Sequence, residues 1–160
     1  MVANVVGGNV IRILEKKDIS QVLELAYKAV VERGWVDMDF DKTNFNIQVK
    51  HILVSENNMC FGLFQNNNLI GFAIAQIDRF PWNTKKKCHI DLIHMDLTHR
   101  NESYYQLLLD TIYAFCNENN IKHIRTSSNS YLLPKPDRLE FLIKNGFNEI
   151  DIDWEKVNDN

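Results

Sequence analysis

Residues 96–109, DLTHRNESYYQLLL, join the end of a strand to the start of a helix and form the first candidate site. In many α/β proteins, backbone N–H groups at such a helix N-terminus bind a phosphate. These loops are normally rich in glycine, because the backbone must approach the ligand closely. This loop has no glycine and carries Glu102, Tyr104 and Tyr105 instead. It is either a phosphate site of unusual sequence or the remnant of one.

The strand before this loop supplies the candidates for acid–base chemistry. A general base must have a suitable pKa and must reach the substrate. Because side chains alternate along a strand, we expect His89 and Asp91 on one face with Ile93 and Met95, and His94 on the other face. Asp91 is the best candidate for the base. The alternative interpretation is a polar residue on a partly solvated face of the sheet.

We expect no metal site in this region. His89, His94 and His99 alternate between faces, so they cannot converge on one metal ion without a bulge in the strand.

Two further groups have both a functional and a structural interpretation. The run Lys85–Lys87 beside Arg79 would bind an anion or an acidic surface, or it is a solvated loop tip. The neighbouring residues Phe80–Trp82, if exposed, form a contact site for a protein partner or for self-association. Trp35 and Phe40, between the first two helices, either line a pocket or fill the core.

Local patterns predict ten elements around these residues. Alternating apolar residues predict strands, a period near 3.6 predicts helices, and Asn or Gly marks the turns. We expect Asp18 to cap the first helix, Asp41 or Thr43 the second, Ser103 the third and Asp137 the fourth. The predicted strands are 10–14, 59–64, 69–77, 88–97, 121–126 and 147–154, and the predicted helices are 18–34, 41–55, 103–118 and 137–144.

The order β α α β β β α β α β predicts an α/β (α+β) fold. The central strands need only tight turns and pair antiparallel, whereas the later strand–helix–strand unit requires a parallel pair. The prediction is therefore a mixed, mostly antiparallel sheet flanked by helices on both faces. With 160 residues and no linker or repeat, we expect one domain over residues 1–160 with its core at about 10–155.

This order and three stretches resemble the GNAT superfamily of N-acetyltransferases. NNNLIGFAIAQI is similar to its second and third strands, and RLEFLIKNGFNEI to its closing segment. CHIDLIHMDLTHRNESYYQLLLDTIYAFCNENNIKHI resembles its fourth strand, acetyl-CoA loop, long helix and fifth strand. The resemblance covers about residues 10–155 and implies the GNAT fold.

The resemblance implies a cofactor loop at residues 100–105, against the family pattern R/Q-x-x-G-x-G/A. Arg100 matches the first position, whereas Ser103 and Tyr105 stand on the two small-residue positions and Asn101 where a further glycine is common. We expect the Tyr105 ring to obstruct the ligand. Glu102, about 4 Å from an anion, would cost on the order of 1–4 kcal/mol. The implied cofactor-binding residues are Arg100, Asn101, Glu102, Ser103, Tyr104 and Tyr105.

In the family, a carboxylate or a water on the fourth strand often accepts a proton from the substrate amine, which implies Asp91 as the base. A tyrosine in the closing segment often protonates the leaving thiolate, and this chain has Leu142 at that position. Tyr131 would substitute only if its loop folded inward.

Two functions remain open at this point. The first is a GNAT-fold protein that has lost or nearly lost acetyl transfer and acts as a binding, accessory or structural protein, without a cofactor. The second is an active N-acetyltransferase that uses acetyl-CoA and transfers the acetyl group to an amine. A weaker third possibility is a domain that binds another acyl carrier or a nucleotide.

Composition sets the remaining expectations. A net charge of −3 and a pI near 5.9 give no attraction to nucleic acid or membrane, and no apolar run is long enough to span a bilayer. The N-terminus lacks the features of a signal peptide, and three widely spaced cysteines indicate free thiols. We therefore expect a cytoplasmic protein. Abundant asparagine indicates an AT-rich genome and suggests a viral source, with the protein in a host cytoplasm or a virion.

Overall fold

The computed structural model describes residues 4–37, 39–79, 81–82, 84–127 and 135–148. Its strands are β1 (Asn4–Val6), β2 (Asn9–Ile13), β3 (Asn58–Gln65), β4 (Asn68–Arg79), β5 (Lys86–Met95) and β6 (His123–Thr126). Its α-helices are α1 (Ile19–Glu32), α2 (Lys42–Val54), α3 (Glu102–Glu118) and α4 (Lys135–Lys144).

The six strands form one sheet in chain order, β1-β2-β3-β4-β5-β6. Neighbours pair antiparallel except β5 and β6, which pair parallel. The prediction of a mixed, mostly antiparallel sheet is confirmed. The Asn turn between β3 and β4 is also confirmed, because Asn66 and Asn67 have φ values of 50° and 64°.

The strand β1 was not predicted. Val6 pairs with Asn9, so the two intervening glycines form a two-residue hairpin turn. Gly7 and Gly8 have φ values of 56° and 83°, which glycine adopts without the steric cost of a Cβ. A Gly-Gly pair between two short apolar runs was the signal for this hairpin.

Each face of the sheet has its own apolar core. The first core lies under α3 and α4 and includes Phe61, Ile90, Leu108 and Phe141. The second lies under α1 and α2 and includes Val22, Leu25, Phe64 and Phe72. The helices on both faces confirm the predicted layers. None of the α2 residues is fully buried, so α2 packs loosely on its face.

Two predicted helix starts were wrong. Asn101, not Ser103, is the N-cap of α3, and its side-chain oxygen accepts from the backbone N–H of Tyr104 at 3.2 Å. The helix α4 begins at Lys135, so Asp137 lies in its first turn rather than at its cap. The helix α3 starts one residue before its predicted cap and α4 starts two residues before its own, because several polar residues near each start were suitable.

The first two helix starts were predicted more closely. Asp41 caps α2 by accepting from the backbone N–H of Asn44 at 3.0 Å. Asp18 stands at the N-cap position of α1, but its carboxylate makes no capping hydrogen bond and binds Arg12 instead, at 2.7 and 2.8 Å. The predicted last strand lies at 147–154, of which residues 149–154 are outside the described part of the chain.

Candidate functional site

A bulge interrupts β5 at its centre. Leu92 pairs with Ile74 and Ile90 pairs with Ala75, so Asp91 is an extra residue with no opposite partner in β4. Such an insertion reverses which face the following side chains take. The two halves of β5 are therefore out of phase with each other.

The prediction of faces along β5 was wrong for this reason. Ile90 packs in the same core as Ile93 and Met95, beneath α3, instead of on the face of His94. Leu92 packs in the other core, where the His94 ring contacts a phenylalanine of β4. Simple alternation fails here because the register depends on β4, which the pattern of β5 alone does not show.

His89 and Asp91 are in contact beside this bulge. The distance from His89 Nδ1 to Asp91 Oδ1 is 2.7 Å, and both side chains are partly exposed, at 46% and 33%. An ionised carboxylate at this distance accepts the Nδ1–H of a neutral imidazole, which leaves Nε2 as a proton acceptor. His89 Nε2 has no hydrogen-bond partner among the described residues.

The described pairing of β5 with β6 ends beside this pair. Their pairing runs from Lys87 and His123 to Ile90 and Thr126. From Asp91 to Met95, the outer edge of β5 has no strand partner in the described ranges. Within the described residues, this unpaired part of β5 leads through residues 96–101 into the N-terminus of α3.

At the N-terminus of α3, two backbone N–H groups remain available. Asn101 accepts from Tyr104 N–H and from the Ser103 hydroxyl, at 3.2 and 2.5 Å. Tyr105 N–H points to the Asn101 carbonyl at 3.4 Å. The N–H groups of Glu102 and Ser103 have no acceptor within the described residues.

The expectation that the Tyr105 ring obstructs the loop was wrong. Tyr105 is 0% exposed and belongs to the core beneath α3. It lies on the same helix face as Leu108 and Ile112, three and seven residues later, and the helical period turns it inward. Its hydroxyl lies against the Arg100 guanidinium, and burial raises the pKa of Tyr105.

The expected repulsion from Glu102 is also reduced. Its carboxylate accepts from Lys144 Nζ at 2.9 Å, and both side chains are substantially exposed. The pair has no net charge. An anion bound at the α3 N-terminus is therefore repelled less than it would be by an isolated carboxylate. The ring of Tyr104 packs edge-on against His99, with centroids 5.9 Å apart.

The Arg100 side chain turns away from the loop. Its Nη2 lies 2.6 Å from Glu32 Oε2 at the end of α1 and donates to the Met95 carbonyl at 3.1 Å. The guanidinium therefore ties the end of α1 to the end of β5. Phosphate binding by Arg100 stays a prediction, and it would require the side chain to leave Glu32.

A cavity of about 170 Å³ lies on the opposite face of the sheet, between α1, α2 and the central strands. Its walls are apolar apart from Arg33, and they include Phe45, Phe72, Leu92 and Trp35. Trp35 is thus a pocket residue, one of its two predicted interpretations. Phe40 packs on the rings of Tyr27 and Phe45, with centroids 5.9 and 5.3 Å away.

Beside this cavity lies a completely buried histidine. His94 is 0% exposed, and its ring centroid is 5.8 Å from that of Phe72. Neither ring nitrogen has a hydrogen-bond partner among the described residues. Burial, with a smaller effect of Arg33 and Arg100, lowers the pKa of His94 to about 3.

Other candidates from the sequence have mixed outcomes. Tyr131 and Phe80 lie outside the described residues, and Leu142 is buried in the core. Trp82 is 77% exposed, so a contact role for its loop stays a prediction. All three cysteines are buried and unpaired.

Neither a membrane-spanning helix nor a metal cluster is found in the described parts of the chain. No helix there is long and apolar enough to cross a bilayer. No three metal-ligating side chains are grouped there either.

Sequence reasoning missed one contact and two residues near the site. His89 was named, but its contact with Asp91 was not, although a His-x-Asp spacing in a strand places both side chains on one face. Glu32 and Arg33 at the end of α1 were not singled out, since two charged residues before a helix-ending glycine are ordinary. Only the folded structure brings Arg100 to Glu32.

The architecture defines a class of protein. A mixed sheet with helices on both faces, in which antiparallel strands are followed by a parallel pair joined through a long helix, is the acyl-CoA N-acyltransferase fold. A family model described as "Acetyltransferase (GNAT) family" matches residues 18–131, more than half of the chain. The protein belongs to this family.

Solved structures agree on the fold. A predicted acetyltransferase from Clostridium acetobutylicum, solved with acetyl-CoA, has a TM-score of 0.73 and 21% identity, covering 94% of this chain and 96% of that one. A ribosomal-protein-alanine N-acetyltransferase from Brucella melitensis biovar Abortus 2308 has a TM-score of 0.68 and 16% identity, covering 95% and 99%.

A third similar structure is an aminoglycoside acetyltransferase from an uncultured soil metagenomic sample, in complex with sisomicin. It has a TM-score of 0.70 and 14% identity, covering 95% of this chain and 97% of that one. At such identities these similarities establish the fold only. No curated protein sequence is significantly similar to this chain.

Proposed function

We propose that this protein is an acetyl-CoA-dependent N-acetyltransferase with an unusual cofactor loop. The observation that carries the proposal is the 2.7 Å contact between His89 and Asp91, next to the point where the described pairing of β5 with β6 ends. A carboxylate that orients a partly exposed imidazole is an arrangement suited to general-base catalysis.

The residues of the loop are compatible with the cofactor. The backbone N–H groups of Glu102 and Ser103 are available to pyrophosphate oxygens, and the positive end of the α3 dipole supports an anion there. The Tyr105 ring is turned into the core, and Lys144 neutralises Glu102. When bound, acetyl-CoA supplies the acetyl group as a thioester.

Within this site, the side chains of the protein would accept one proton from the substrate. His89 donates Nδ1–H to Asp91, which holds the imidazole in the tautomer whose Nε2 accepts a proton from the acceptor amine. Asp91, predicted as the base, would then be the residue that positions the base. Tyr131 stays the candidate acid for the leaving thiolate.

Two measurements test the proposal. Calorimetric titration should show acetyl-CoA binding in the micromolar range, about −8 kcal/mol. Release of the coenzyme A thiol should then depend on an added primary amine. We expect His89→Gln to lower kcat by about 10²–10³-fold, with Asp91→Asn intermediate and the exposed control His51→Gln unchanged. The absence of both binding and thiol release would refute the proposal.

A second candidate is a GNAT-fold protein that does not transfer acetyl groups and acts by binding. It is favoured by the Arg100–Glu32 ion pair, which holds the guanidinium away from the loop. The exposed Trp82 would then belong to a surface for a protein partner or a second copy. This function predicts no acetyl-CoA binding at millimolar concentration and concentration-dependent association that Trp82→Ser abolishes.

The subcellular location is a further part of this proposal. A cytoplasmic location, in a host cell or a virion if the source is viral, is consistent with buried, unpaired cysteines. Separation of infected-cell or producer-cell fractions, followed by immunoblotting, would test it.

A further inference from the structure

The side chain of Arg100 is held at two points on separate elements. Its Nη2 lies 2.6 Å from Oε2 of Glu32, the last residue of α1, and donates to the carbonyl of Met95, the last residue of β5, at 3.1 Å. Only 14% of the Arg100 side chain is exposed, compared with 30% for Glu32. Hydrogen bonds that join two ionised groups are shorter and stronger than neutral ones, so this contact restrains the guanidinium.

The charges around this guanidinium make Glu32 important for its position. Glu32 is the only carboxylate within ion-pair distance of Arg100 in the described ranges. Arg33 brings a second, largely buried guanidinium close by: burial lowers the pKa of Arg33, the charge of Glu32 raises it, and the charge of Arg100 lowers it further. Without Glu32, two neighbouring cations would lose their shared carboxylate, and an uncompensated buried charge is strongly unfavourable.

Arg100 directly precedes the start of α3. The next residue, Asn101, is the N-cap, and its side-chain oxygen accepts from the backbone N–H of Tyr104 at 3.2 Å. The backbone N–H groups of Glu102 and Ser103 follow at once, and these are the two groups available to an anion. A fixed Arg100 side chain limits how the backbone beside the cap can turn, so both N–H groups keep one direction.

Two roles for Arg100 place its guanidinium differently. As a phosphate ligand, it would have to leave both Glu32 and the Met95 carbonyl, and Glu32 would compete with the cofactor. As an anchor, it would stay where it is, and Glu32 would support cofactor binding. The two contacts and the burial of the side chain favour the anchor.

We propose that Glu32 and Arg100 are positioning residues whose ion pair anchors the cofactor loop to the ends of α1 and β5. The phosphates are then bound by the backbone N–H groups of Glu102 and Ser103 and not by the Arg100 guanidinium. The effect on the cofactor rests on the function proposed above, whereas the anchor is a property of the free protein.

The two roles predict opposite changes in the variant Glu32→Ala. Loss of an anchor should weaken acetyl-CoA binding in calorimetry at least about tenfold, which corresponds to about 1.4 kcal/mol. A phosphate ligand released from its competitor would instead bind acetyl-CoA more tightly. The control Glu24→Ala, at an exposed glutamate of the same helix, should stay within about twofold of wild type. Tighter or unchanged binding in Glu32→Ala would overturn the proposal.

Variants of Arg100 test whether the two side chains act as one unit. Arg100→Met should weaken acetyl-CoA binding about as much as Glu32→Ala, and the double variant should bind no more weakly than either, because the second change removes nothing further. Arg100→Lys keeps the charge without the planar fork and should recover part of the loss. Additive losses in the double variant would contradict a shared anchor.

Hydrogen exchange in the free protein tests the anchor without the cofactor. In Glu32→Ala, the N–H groups of Asn101 and Tyr104 should exchange at least about tenfold faster, whereas those of β4 should exchange as in the wild type. Unchanged exchange at the loop would overturn the anchor, also if Arg100→Met fails to fold. If the wild type binds no acetyl-CoA, the proposed function fails, and the exchange rates still decide whether the anchor exists.

Discussion

His94 should make the stability of this protein depend on pH. The side chain is 0% exposed, and burial together with the cations Arg33 and Arg100 lowers its pKa to about 3. The other charged groups that act on it are Lys28, which lowers the pKa further, and Asp96, which raises it. In the unfolded chain, a histidine has a pKa near 6.5.

The direction of the pH dependence follows from the folded and unfolded pKa values of His94. Between pH 6.5 and 3 the unfolded chain binds a proton at His94 and the folded chain does not, so the free energy of unfolding falls as the pH falls. One pKa unit corresponds to about 1.36 kcal/mol, which predicts a loss of about 3 kcal/mol between pH 7 and pH 4. Asp18 and Asp96 have lowered pKa values and lose their contributions at lower pH.

Urea unfolding, followed by tryptophan fluorescence at pH 7.0, 5.5 and 4.5, measures this loss. His94→Gln and His94→Phe remove the titrating group, so their stabilities should be almost flat over this range. His51→Gln, at an exposed histidine of α2, should behave as the wild type. Parallel pH dependence in the wild type and in both His94 variants would refute the reasoning.

Three further predictions concern single side chains. Arg12→Met should lower the free energy of unfolding by about 2–3 kcal/mol in urea titrations, because it leaves the buried Asp18 carboxylate without its cation. A change below about 0.5 kcal/mol would contradict this prediction. Gly71→Ala should cost about 1–3 kcal/mol in thermal melts, since the new Cβ would overlap Met95 Sδ, and an unchanged Tm would show that the methionine moves freely. Glu102→Gln should leave acetyl-CoA affinity within about threefold of wild type by calorimetry, because the carboxylate is already in an ion pair; a tenfold gain would restore the electrostatic objection to this loop.

Much of the fold could be predicted from short-range patterns. The helix α1 follows from apolar residues at helical spacing, and the β3–β4 hairpin follows from asparagines that tolerate positive φ. Element ends were less predictable. Either Asn101 or Ser103 could cap α3, and the choice depends on which position lets the helix dock on the sheet.

The candidate site was predictable in position but not in detail. The cofactor loop could be located at residues 100–105 from its place between a strand and a helix. The inward direction of Tyr105 was available from its helical spacing to Leu108 and Ile112, but the position was interpreted from the family pattern of the loop instead. The partner of Arg100 is on α1, far away in the chain, so no local pattern reveals it.

The sequence by itself indicated the order of most elements and the mixed sheet, because these follow from the local spacing of apolar, turn and capping residues, and the resemblance of three stretches indicated the family. Only the tertiary structure decided the bulge at Asp91, the contact of His89 with Asp91, and the cavity beside Arg33. Each of these depends on the register or docking of separate elements. The interactions that fix this register and docking are made between residues distant in the chain.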